Sequence, residues 1–76
     1  MMMDLETLAK IVEEQVPTTK TNIFPEANQI VVTFTNRPGV EVALLTPWLQ
    51  KKVLEKNVTH EELFSLIEEL NSIASF

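Results

Sequence analysis

VTHEELFSLIEELNSIASF, residues Val58 to Phe76, is the stretch whose reading decides the fold. Thr59 is a good N-cap, because its hydroxyl can accept from the free N–H groups of a first helical turn. Glu62 stands three residues on, where its carboxylate can reach back to the Thr59 N–H and close a capping box. Val58 before the cap and Leu63 after it are placed as a hydrophobic staple. Leu63, Leu66, Ile67, Leu70, Ile73 and Ala74 recur at three- and four-residue intervals and share one helical face. Glu61, Glu62, Glu68 and Glu69 take the other side. The spacing predicts one long amphipathic helix, and the rest of the chain must supply a partner for its apolar stripe.

Upstream, Thr46-Pro47 opens another helix with a cap followed by Pro at the first helical position. It is expected to run to about Lys56, with Lys51, Lys52 and Lys56 in its second half, where cations complement the helix dipole. Asn57 can take the left-handed conformation that ends it. The last helix follows at once, so the two form a hairpin or a corner. Leu49 and Val53 share a face. Trp48 lies about 100° to one side and Leu54 about 140° to the other. Either this helix is sandwiched between two elements, or one of these residues is at the surface. Phe64 likewise stands about 100° from Leu63, beside His60 and Asn71.

Before these helices lie two strands. Ile30, Val32 and Phe34 alternate with Val31, Thr33 and Thr35, and β-branched residues dominate the run from Gln29 to Thr35. Val40 to Leu45 alternates in the same way. Asn36 to Gly39 is read as the turn between them. A three-residue loop, Arg37 to Gly39, pairs Phe34 with Val42 and Val32 with Leu44, which puts both apolar sets on one face. Pro38 fits that loop poorly. Residues 17–27 are the longest irregular stretch; Thr21 to Phe24 can add a short edge strand, ended by Pro25.

At the other end, Asp4 caps a first helix over about 4–16, with Met3 and Leu8 in staple positions. Leu5, Leu8, Ile11, Val12 and Val16 follow helical spacing, and Glu6 with Lys10 makes an i,i+4 pair contributing roughly 0.3 kcal/mol. Pro17 stops this helix. The expected fold is therefore α+β, a β-hairpin packed against helices in the order α-β-β-α-α, with a short third strand as an option. The 76 residues make a single small domain. Its expected core is Leu5, Leu8, Val12, Ile30, Val32, Phe34, Val42, Leu44, Leu49, Val53, Leu63, Leu66, Ile67 and Leu70.

Composition narrows function mainly by exclusion. With no cysteine, disulfides and thiolate metal sites are ruled out. The net charge of −5 is the wrong sign for a phosphate backbone or an anionic lipid surface. No apolar run approaches the roughly 18 residues of a membrane span, and the start MMMDLETLAK lacks the basic and apolar regions of a signal peptide. The setting expected is cytoplasmic.

Catalytic machinery is hard to assemble from these residues. Ser65, Ser72 and Ser75 all fall on the last helix, away from any strand–turn–helix elbow. His60 is the one histidine. His60-Glu61-Glu62 lacks the second histidine of a zinc-protease helix. With Gly39 the only glycine, there is no glycine-rich phosphate loop. No enzyme, cofactor or metal is implied. The leading expectation is a small acidic accessory or regulatory protein that binds a protein partner or itself as a homodimer, with Trp48, Leu54 and Phe64 at the interface. A second is an acidic inhibitor that imitates nucleic acid and blocks a basic groove with Glu61, Glu62, Glu68 and Glu69. A third, an enzyme using His60 with nearby carboxylates, lacks its partner groups.

Overall fold

The computed structural model describes residues 3–76. Helix α1 spans Leu5–Gln15, strand β1 Thr19–Phe24, β2 Gln29–Phe34, β3 Arg37–Ala43, helix α2 Pro47–Leu54 and α3 His60–Ala74. A single 3-10 turn, Pro25–Ala27, joins β1 to β2. The fold is α+β, with a three-stranded antiparallel meander in the order β1-β2-β3.

Each helix begins where its cap chemistry puts it. The Asp4 carboxylate accepts from the Thr7 N–H at 2.8 Å, and Thr46 caps α2 ahead of Pro47. At α3 both halves of the capping box form: Glu62 N–H donates to Thr59 Oγ1 at 3.1 Å, and Thr59 N–H donates to Glu62 Oε1 at 2.8 Å. Helix α2 stops two residues short of the expected Lys56. The left-handed residue is Lys56, with φ of 55°, and not Asn57. Asn57 N–H donates to the Lys52 carbonyl and Lys56 N–H to the Val53 carbonyl, the two bonds of a Schellman end. Val58, just beyond, is 1% exposed and fills the corner beneath it.

The optional third strand is a full one. β1 starts at Thr19, because Pro17 ends α1 and Thr19 is anchored at once: its N–H and hydroxyl both donate to the Val16 carbonyl, the hydroxyl at 2.6 Å. The β2–β3 hairpin differs from expectation. Val32 pairs with Val42, not Leu44, and Phe34 pairs with Arg37, not Val42. The chain turns at Thr35-Asn36, and the irregularity moves into β3, where Pro38, Gly39 and Val40 are bulged between Arg37 and Glu41. Gly39 supplies the φ of 87° that the bulge needs. Pro38 is accommodated because β3 is an edge strand.

One face of the sheet is covered. Ile30, Val32, Phe34 and Leu44 point into a cluster with Leu8, Ala9 and Val12 of α1, Leu49 and Val53 of α2, and Leu66 and Leu70 of α3. All three helices therefore lie on the same side. Leu5, Val42, Leu63 and Ile67, expected in the core, are only partly buried at its margin. Met3, Val16, Leu45 and Val58 join the core from connecting segments, at 3% exposure or less. The opposite face carries Lys20, Asn22, Phe24, Val31, Thr33, Glu41 and Ala43, all exposed or half-buried.

Candidate functional site

Trp48, Leu54 and Phe64 are all at the surface, 64%, 71% and 66% exposed. The structure does not gather them into one patch. Phe64 stands on the outer side of α3. Leu54 borders a hollow between the start of α1 and the end of α2, with Met3, Asp4, Leu5 and Lys56. Trp48 borders a groove of about 260 Å³ between β3, α2 and α3.

The Trp48 groove is bounded by the edge of β3 and by one side of each of α2 and α3. Its floor is apolar: Val42, Leu44, Leu49, Leu66, Leu70 and Ile73. Its rim carries Thr46, Ser65, Glu62 and Glu69. Local sequence explains the opening. The chain leaves the sheet after Ala43, α2 starts at Pro47, and α3 returns so that only one of its sides reaches the core. The side bearing Glu62, Ser65 and Glu69 is left beside the edge of β3.

Trp48 is exposed but held in place. Its indole N–H donates to Glu62 Oε2 at 3.1 Å. Lys52 Nζ lies 3.4 Å from Glu62 Oε1 and 5.5 Å from the centroid of the Trp48 ring, within cation–π range. Glu62 thus joins the cap of α3 to the aromatic residue of α2. The Thr59 N–H, above all, pushes its carboxyl down to about 2 from an ordinary 4.5; desolvation opposes this, and the Trp48, Thr59 and Lys52 side-chain hydrogen bonds add to the lowering.

The four glutamates therefore divide. Glu62 is engaged internally and, with Glu69, lines the groove. Glu61 and Glu68 are exposed on a different side of α3, in line with each other. His60 is the exposed first residue of α3. No group of three or more His, Asp or Glu side chains that could hold a metal occurs among the described residues. No helix among them is long and apolar enough to cross a membrane.

Sequence reasoning missed a set of amides that fixes the neighbouring connection. Gln29 Nε2 donates to the Leu45 carbonyl at 2.8 Å, and Gln29 Oε1 accepts from the Leu45 N–H at 2.7 Å. Asn28 Nδ2 donates to the Gln50 carbonyl at 2.9 Å, while Gln50 Nε2 donates back to the Asn28 carbonyl at 3.0 Å. These bonds tie the start of β2 to α2 and so hold Trp48 in register with the sheet. The available signal was polar amides flanking a strand where the alternating pattern asks for nothing in particular.

Comparison with protein-family models, with curated proteins and with solved structures finds no match to this chain.

Proposed function

We propose that this chain is a non-enzymatic interaction protein, an accessory subunit that docks another protein in the groove between β3, α2 and α3. The observation that carries this is the exposed yet immobilised Trp48 at the mouth of an apolar groove. A large aromatic already fixed by a hydrogen bond and a cation loses little conformational freedom when a partner covers it. The test is affinity capture of the tagged chain from the cells that make it, wild type beside Trp48→Ser. The partner should be retained at a fixed ratio by the wild type and lost by the variant, with the variant's circular dichroism unchanged. Equal recovery by both removes Trp48 from the interface and this function with it.

Glu61 and Glu68, exposed and in line on α3, support a second reading, an acidic inhibitor of a basic groove. It predicts the opposite pattern. Binding would fall steeply with salt and with Glu61→Lys/Glu68→Lys, and would ignore Trp48→Ser.

A further inference from the structure

The sheet has two edges, and the chain treats them differently. On β1 two of the outward N–H groups are taken by α1 and its end. Thr19 N–H donates to the Val16 carbonyl, and Thr21 N–H donates to Glu13 Oε2 at 2.8 Å. The Thr21 hydroxyl donates to the same oxygen at 2.6 Å. Just past the end of β3 the Leu44 N–H donates inward to the Ile30 carbonyl. By strand alternation Val42 also faces inward, and the N–H and C=O of Glu41 and Ala43 face out. Both residues are exposed. The free half of this edge runs alongside the apolar groove.

We propose that the docked partner segment is an extended peptide alternating apolar and basic residues, which adds to β3 as a fourth strand. This rests on the docking function above and gives the form of the ligand. A strand laid on β3 would send alternate side chains to the side of Val42 and Leu44, into the groove beneath α3. The others would lie beside Glu41 on the open face. On the groove side the carboxylate left for a ligand is Glu69, which makes no ion pair among the described residues, whereas Glu62 is already held by Lys52. Glu69 on the groove side and Glu41 on the open face therefore put a carboxylate on each side of the added strand. Basic residues at alternate positions meet them. A second copy of this chain would bring the same carboxylates against themselves, which cross-strand pairing disfavours. The bulge at Pro38 and Gly39 and the cap at Thr46-Pro47 bound the open edge, so the added strand is short.

The experiment is an NMR titration of the isotope-labelled chain with a short capped peptide alternating valine and arginine. The Glu41 to Leu44 amides and the Trp48 indole should shift together. N-methylation of the peptide amides that face β3 should weaken binding at least about tenfold. Glu41→Lys/Glu69→Lys should reverse the preference towards a valine–glutamate peptide. No binding, or undiminished binding of the methylated peptide, overturns strand addition. So does equal binding of the valine–glutamate peptide by the wild type, or a salt-stable dimer paired through β3. Shifts at Trp48 and Ser65 that survive N-methylation would refute the fourth strand alone and leave groove docking intact. Groove docking falls separately, on capture that is indifferent to Trp48→Ser.

Discussion

The indole of Trp48 and the N-cap of α3 are held by one carboxylate. Glu62 accepts the Trp48 N–H at 3.1 Å and the Thr59 N–H at 2.8 Å. The exposed aromatic of α2 is thereby locked to the helix that forms the other wall of the groove. Fold stability and the posture of Trp48 at the groove depend on the same ionised group.

Acid should reveal this coupling. The folded-state value of Glu62 is about 2, below its ordinary 4.5, so ionisation favours the folded form. Its contribution is complete above about pH 4.5 and is lost as pH falls towards about 2. Asp4, lowered chiefly by the Thr7 N–H, and Glu13, lowered chiefly by the Thr21 hydroxyl, act in the same direction. Glu62→Gln should therefore lower Tm at neutral pH, with the gap to wild type closing over that acid range. The fluorescence of Trp48, the chain's single tryptophan, should change over the same interval. A gap constant with pH would remove Glu62 from the account.

Core and surface leucines should separate cleanly in urea denaturation. Leu8 is fully buried, whereas Leu54 is 71% exposed. Leu8→Ala should cost about 2–5 kcal/mol, enough to unfold much of so small a domain. Leu54→Ser should stay within about 0.5 kcal/mol of wild type.

The end of α2 holds a correctable strain. Lys56 is left-handed, at the Schellman position that glycine usually fills. Lys56→Gly should stabilise the fold by about 0.5–1 kcal/mol, relief of the left-handed penalty outweighing the added freedom of the unfolded chain. Thermal unfolding reads this directly; a lower Tm would show that the Lys56 side chain contributes packing of its own.

Hydrogen exchange should distinguish the two sheet edges. The Thr21 amide, bound to Glu13, should be protected. The Glu41 and Ala43 amides, which face outward, should exchange at rates close to those of loops. Protection of the β3 edge in the isolated chain would mean that self-association already covers it.

The helices were legible because their signals are local. A capping box, a cap followed by proline, and three- and four-residue spacing each act within one turn, and all three helix starts lie within a residue of expectation. The hairpin register was not legible, because the sequence around Pro38 and Gly39 suits either a turn or a bulge. The choice is made by packing: Leu44 and Leu45 are both buried after the chain has left the sheet, and two-residue alternation cannot anticipate that. Val16 and Val58 were missed as core for a related reason. Val16 follows the helical spacing of α1 and Val58 stands in a staple position, but both lie just outside their helices, where spacing does not fix burial. At the candidate site, Trp48 and the glutamates stood out by residue type. Their grouping did not, since the Trp48–Glu62 bond spans two helices whose crossing no local pattern encodes. Leu54 and Phe64 share Trp48's exposure but not its groove.

The most direct test of the central claim is photo-crosslinking in the cells that make the protein. A benzophenone amino acid would replace Ser65, which lines the groove, or Asn22, which is exposed on the open face of the sheet. One discrete heterologous adduct is expected from position 65, absent from position 22 and lost when Trp48→Ser is added. Equal labelling from both positions, or none from position 65, would contradict that claim.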